Sequence, residues 1–178
     1  MALHRPAWTV ASVLITGLWG TTAAAQPADT PPRWTLQVDP LTTALGFVHL
    51  QAERALGEFW SVYAGPSLRL YDGVSSLDDP SGFRGYGGEA GVRWFYFGGA
   101  PAGWWHQVRG VVAYLDAQEG DANGVGGYVS TLAGYTWIYE ETLVLSGGLG
   151  VQYIDYTLEG KGQQGVFPAA HSTIGVAF

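Results

Sequence analysis

Three acids and three arginines, with two histidines among them, are the residues through which this chain could do chemistry. Asp39, Glu53 and Glu89 alternate with apolar neighbours, as do Arg69, Arg93 and Arg109. His49, Gln51, Gln107, Gln152 and His171 fall on the same side of that alternation. A guanidinium fork can hold a carboxylate through two hydrogen bonds, so such a set can pair internally when it is kept from water. Catalysis fits less well. His171 and Ser172 are adjacent, and adjacent strand residues point to opposite faces, so the imidazole is poorly placed to activate the hydroxyl. The spacing that aligns two side chains is i, i+2, which pairs His171 with Thr173. His49 and Glu53 share a face, yet four strand residues separate them by about 13 Å. No G-x-S-x-G, H-E-x-x-H, Walker or dinucleotide fingerprint occurs.

Composition narrows the field further. There are no cysteines, so disulfides, thiol nucleophiles and thiolate metal sites are excluded. The net charge is −7 with eight Lys and Arg and no basic run, so the footprint of a nucleic-acid binder is missing. Charged residues make up 13% of the chain, about half the usual share of roughly 25%. A soluble domain would normally carry more charge on its surface. Asp72, Asp78, Asp79, Glu119 and Asp121 put acid into polar stretches, but without EF-hand spacing they read as solvated loops. No metal and no cofactor is expected, and the chain is read as non-enzymatic.

The elements that must position these side chains follow from punctuation and period. Residues 1–25 read as a cleaved signal peptide. His4 and Arg5 form a basic start, Ala7 to Trp19 an apolar stretch of about 13 residues, and Ala23-Ala24-Ala25 a small-residue cleavage pattern. That stretch is short of the roughly 20 residues that span a bilayer as a helix. Residues 26–32 are a Pro-rich leader, and 33–178 form one domain.

Within the domain the period is two, the signature of strands. Eight are expected, at 33–39, 45–56, 58–71, 85–97, 104–117, 125–139, 142–158 and 169–178. Trp34, Leu36 and Val38 oppose Thr35, Gln37 and Asp39; Val48, Leu50 and Ala52 oppose Phe47, His49, Gln51 and Glu53. Tyr86, Ala90, Val92 and Trp94 oppose Glu89 and Arg93, and Leu145, Leu149 and Val151 oppose Ser146 and Gln152. Pro66 falls inside the third strand and predicts a bulge or a local loss of pairing. Residues 40–44 read as a turn. The connections after the second, fourth and sixth strands are short, and those after the third, fifth and seventh (72–84, 118–124, 159–168) read as long. Trp34, Trp60, Trp94, Tyr96, Trp104, Trp137 and Tyr139 gather toward the short-connection end, with His106 beside the Trp104-Trp105 pair as an interface residue.

The final stretch carries Ile174, Val176 and Phe178 on one face, with Gly175 between them. It resembles the closing recognition strand of outer-membrane β-barrels, and the whole domain resembles the small eight-stranded barrels of the OmpA-barrel and OmpX type. The resemblance implies an all-β, eight-stranded antiparallel up-and-down transmembrane β-barrel in a Gram-negative-type outer membrane. It implies Ile174, Gly175, Val176 and Phe178 as the assembly signal read by the barrel-assembly machinery. It also implies contact with outer-membrane lipid and lipopolysaccharide, and a monomer. In such a barrel the apolar face meets lipid, and Asp39, His49, Glu53, Arg69, Glu89, Arg93 and Arg109 fill the lumen as a polar network, because eight strands leave room for little more than side chains. The family includes lipid-A-modifying barrels with a His/Ser pair, which the strand geometry of His171 and Ser172 argues against. A structural or surface-interaction role through the outer loops is expected first, and a narrow or gated pore second. A secreted barrel binding an apolar ligand would reverse the facing, with Val92, Trp94, Leu149 and Val151 inside.

Overall fold

The computed structural model describes residues 31–44, 46–69, 83–117, 123–158 and 161–178. The expected signal peptide, most of the leader, Leu70 and the acidic loop residues lie outside them. The described residues form eight strands: β1 (Trp34–Val38), β2 (Phe47–Ala55), β3 (Trp60–Arg69), β4 (Phe83–Phe95), β5 (Gly103–Ala117), β6 (Asn123–Tyr139), β7 (Leu143–Leu158) and β8 (Lys161–Ala177). Each pairs antiparallel with the next and β8 pairs with β1, so the sheet closes into an up-and-down barrel.

The register fixes the geometry of that barrel. Stepping across paired residues from Leu36 through Ala52, Ala64, Ala90, Gly110, Val129 and Tyr153 arrives on β8 at Val166. Leu36 itself pairs with Val176, ten residues further along β8. A stagger of ten over eight strands, at the usual strand rise and spacing, tilts the strands by about 40° and gives a radius of about 8 Å. Side chains can fill a lumen of that size.

Alternation sorts the residues as expected. Thr35, Gln37, Asp39, His49, Gln51, Glu53, Glu89, Arg93, Gln107 and Arg109 are buried inside, and Leu36, Leu50, Val62, Val92, Val108 and Leu149 face out. Trp34, Trp60, Trp94, Tyr96, Trp104, Trp137 and Tyr139 are exposed around the short-turn end. A second outward belt lies toward the other end, with Tyr86 and Tyr153 exposed and Tyr114 half-buried against Tyr86. Trp94 and Tyr86 are eight positions apart on β4, and Trp104 and Tyr114 ten apart on β5. At the strand rise and tilt above, the belts stand about 20–25 Å apart. Between the belts, the outward positions of the described strands hold no Asp, Glu, Lys or Arg. The polar exceptions are partnered: His106 Nε2 lies 2.9 Å from Thr131 Oγ1, and Ser172 Oγ accepts from the Leu41 amide at 3.2 Å.

Four expectations change. The stretch 161–168, read as part of a long loop because of its glycines, is strand: Lys161 to Pro168 pair residue by residue with Leu158 to Val151. The cross-strand partner overrides the local breakers. Pro168 is tolerated there because β8 has a β1 neighbour only from Ile174 to Ala177, and the upper part of β8 is an edge on that side. The connection after β7 therefore shrinks to residues 159–160. Second, residues 40–44 form one helical turn, α1 (Pro40–Ala44). Asp39 caps it, its Oδ1 accepting from the Thr42 amide at 3.0 Å, and Pro40 stands at the first helical position. Third, Trp105 is fully buried, pointing opposite to Trp104. Fourth, the third strand begins at Trp60, two residues later than expected.

Pro66 behaves as its chemistry demands. It pairs with Gly88 on β4, while the ladder to β2 skips Leu50 and Gln51 opposite Pro66 and Gly65. The turn after β6 places Glu140 and Glu141 at φ 49° and 56°, with the Thr142 amide donating to the Tyr139 carbonyl at 3.1 Å. Both residues are in the left-handed region that a tight hairpin favours.

Candidate lumen site

The inward residues fall into three tiers, because the stagger sets neighbouring strands at different heights. At the short-turn end the floor is apolar. Phe95 and Trp105 have no solvent exposure, and Ala55, Ala100 and Leu132 pack with them. The Trp105 ring lies over Gly134 and Gly148, which face each other across β6 and β7; a Cβ on either would collide with it. Its indole N–H donates to Thr136 Oγ1 at 2.9 Å, and that hydroxyl lies 2.8 Å from Ser146 Oγ.

Directly above the floor is a fully connected polar cluster. Glu53 on β2 accepts from Arg93 Nη1 at 2.7 Å, Gln37 Nε2 at 2.8 Å, Thr35 Oγ1 at 3.3 Å and Ser61 Oγ at 2.5 Å. Thr173 Oγ1 donates to Gln37 Oε1. Arg93 on β4 uses its other donors on Gln107 Oε1, at 2.7 Å, and His171 Nε2, at 2.9 Å. Its guanidinium also sits 5.1 Å from the Tyr63 ring and 4.9 Å from the Trp105 ring. Six strands contribute. This tier spans the lumen with one charge pair that is fully buried and fully hydrogen-bonded, the condition under which such a pair is tolerated.

The contact with Arg93 makes His171 Nε2 the acceptor, which assigns the ring proton to Nδ1. That nitrogen lies 3.5 Å from Asp39 Oδ2, so Asp39, His171, Arg93 and Glu53 form a continuous polar line across the lumen. Ser172 reaches the same carboxylate from outside, its Oγ 3.3 Å from Asp39 Oδ1. The serine thus donates to the aspartate rather than to the histidine. A hydroxyl held this way is not activated as a nucleophile.

The third tier, toward the long-connection end, is built differently. Glu89 Oε2 is 3.4 Å from His49 Nδ1 and 3.6 Å from Arg109 Nη1, charge contacts longer than ordinary hydrogen bonds. Above them Arg109 stacks on Tyr128 at 5.1 Å, Arg69 stacks on Phe47 at 5.1 Å, and Tyr156 meets both Phe47 and Tyr128 edge to face or tilted. The seven lumen residues named from sequence therefore all face inward, but in two groups. Glu53 and Arg93 belong to the lower cluster, and His49, Glu89, Arg109 and Arg69 to the upper; Asp39 meets the lower cluster through His171.

Several contributors were not singled out from sequence. Tyr63, Thr35, Ser61 and Thr173 share the inward parity and could have been named from it. Trp105 carries the same signal, since it has the parity of Gln107 and Arg109. Among the described residues no three His, Asp or Glu side chains converge as a metal site would require. At the β1–β8 seam, Ile174 pairs with Val38, Gly175 with Gln37 and Val176 with Leu36, while Phe178 and Trp34 exchange backbone hydrogen bonds at 2.9 and 3.0 Å. No protein-family model, no curated protein and no solved structure matches the chain.

Proposed function

We propose that this protein is an integral outer-membrane barrel, of the small OmpA-barrel and OmpX type, with a closed lumen and a structural or surface-interaction role carried by its outer loops. One observation carries the reading: an outward band about 20–25 Å tall, free of charged residues among the described strands, lies between two aromatic belts. That is the height and rim that a barrel in a lipid bilayer needs, and a barrel in water gains nothing from it. The reverse facing, which a secreted carrier of an apolar ligand requires, would expose Arg93, Arg109 and Glu89. Those side chains are instead buried, while Val92, Trp94, Leu149 and Val151 are exposed.

The Arg93–Glu53 tier and the Trp105–Phe95 floor favour a stoppered barrel over an open pore. With both belts at membrane interfaces, the connections after β2, β4 and β6 face the periplasm and those after β1, β3, β5 and β7 face outward, next to lipopolysaccharide. Ile174, Gly175, Val176 and Phe178 serve as the assembly signal, and the protein works as a monomer without metal or cofactor. The test is electrophoresis of purified outer membranes in mild detergent, boiled against unboiled. A faster-running unboiled band confined to the membrane fraction supports the reading. A soluble periplasmic protein with no band shift would overturn it.

A further inference from the structure

We propose that Arg54 and Trp34, with a row of small residues beside them, hold one glycerophospholipid of the periplasm-facing leaflet. Its phosphodiester meets the Arg54 guanidinium, and one acyl chain lies along the row. The proposal rests on the membrane reading above and names the lipid class at one place on the barrel. Arg54 stands on β2 directly opposite Trp34 of β1, level with the belt at the short-turn end. Its side chain is exposed, and its guanidinium sits 5.2 Å from the centre of the Trp34 ring. The outward positions around it are otherwise apolar, with Val62 opposite on β3 and Ala52 and Leu56 two positions away in the chain. Among the described residues no carboxylate lies within ion-pair distance of Arg54. It is also the only cation there on the outward strand face at this end.

The chemistry of the pair selects the head of the ligand. A guanidinium stacked on an indole keeps its in-plane N–H donors free, and that fork matches two oxygens of a phosphate. Aromatic belts stand at the level of lipid headgroups, so the phosphodiester is the anion that a bilayer brings to this depth. An uncharged headgroup would leave the cation without a counter-charge. The surface next to Arg54 selects the tail. Ala52, Ala64, Ala90 and Gly110 are cross-strand neighbours on the outward face of β2 to β5. Nothing lies within 4 Å of the position a Cβ would take on Gly110. Beneath this row runs a second one, in which Arg54, Val62, Val92 and Val108 are neighbours in the same way. The small residues thus form a shallow trough above a valine ridge that begins at Arg54. Across three strands at the tilt of the barrel the trough climbs about 10 Å, from the belt toward mid-height, which is the depth of one leaflet's acyl chains.

The experiment uses the whole barrel, folded in detergent micelles and released into native mass spectrometry, with phosphatidylglycerol or diacylglycerol as the added lipid. Retention of one phosphatidylglycerol per barrel is expected, whereas diacylglycerol, which has the chains without the phosphate, should be lost. Arg54→Gln should lower retention about tenfold, the loss of a charge-assisted hydrogen bond. Arg54→Lys keeps the charge without the fork and should recover part of it. Ala64→Leu, which fills the trough and leaves the cation in place, should weaken retention by a smaller factor. Inorganic phosphate in excess should not displace the lipid, because it brings no chain. The unboiled gel shift shows that each variant is folded, and comparing the two lipids on the unaltered protein requires no variant. An unaltered protein without that shift would remove the membrane reading and this site with it. A normal shift with both lipids retained alike, or with Arg54→Gln unaffected, would overturn the lipid site alone. Displacement by inorganic phosphate would overturn it too, since Arg54 would then hold an anion of any source.

Discussion

Arg93 and Glu53, 40 positions apart in the chain, meet at 2.7 Å in the middle of the lumen with no solvent exposure on either side chain. Each is the other's only opposite charge within ion-pair distance among the described residues, and each is saturated by neutral partners. Removing one member strands the other. Arg93→Met or Glu53→Leu should each destabilise the barrel by about 3–5 kcal/mol, whereas the double substitution should recover much of that loss. Urea unfolding in lipid vesicles measures all three. Additive losses would show that the two residues do not act as a pair.

The same tier is expected to stop ions. Arg93→Ala removes the one side chain that joins Glu53, Gln107 and His171, and should introduce conductance across a planar bilayer that the unaltered barrel lacks. If Arg93→Ala changed neither stability nor conductance, the closed-lumen account would fail.

Trp105 occupies space that Gly134 and Gly148 leave free. Gly148→Ala would drive a methyl group into the indole, whose other sides are held by the Thr136 hydrogen bond and the Arg93 guanidinium. Overpacking of this kind costs about 1–3 kcal/mol. Gly147→Ala, one residue away and facing outward, is the control, and unfolding midpoints should separate the two. Equal stabilities would mean that the floor is loosely packed.

The outward band should be intolerant of charge. Leu149→Arg, near its mid-height, is expected to cost about 2–4 kcal/mol in a lipid bilayer, against roughly 0–1 kcal/mol for Gln164→Arg near the rim. A barrel surrounded by water would tolerate both alike. Comparing unfolding of the two variants in vesicles therefore tests the membrane reading independently of any localisation experiment.

Asp39 ties α1 to β8. It caps α1 through the Thr42 amide, faces His171 on β8 and receives the Ser172 hydroxyl. Asp39→Asn keeps a capping oxygen and should cost little through α1, whereas Asp39→Ala should cost about 0.5–2 kcal/mol from the cap alone. Ser172→Ala should leave folding almost unchanged. Any hydrolytic activity abolished by Ser172→Ala would refute the assignment of that serine to a structural contact.

The facing of nearly every strand residue was legible in the sequence, since period two is a local property: each peptide unit turns the next side chain over, whatever the neighbouring strand is. That is why Glu89 and Arg93 could be placed inside and Val92 and Trp94 outside from sequence alone. Parity also contained Trp105, whose size and company beside Trp104 masked the signal.

What parity cannot supply is height. Whether Arg93 meets Glu53 or Glu89 depends on the stagger accumulated around the closed sheet, and that stagger is set by pairings between segments far apart in the chain. The β1–β8 register, which joins Leu36 to Val176, belongs to this class. So does the start of β8: Gly162 and Gly165 argue locally for a loop, but β7 continues to Leu158 and offers backbone groups that only a partner strand can satisfy. Composition and alternation thus determined a closed eight-stranded barrel and its two faces. Only the tertiary structure divided the inward face into an apolar floor, a saturated ion-pair tier and an upper tier of longer charge contacts and stacked rings, because closure brings side chains together by height rather than by sequence.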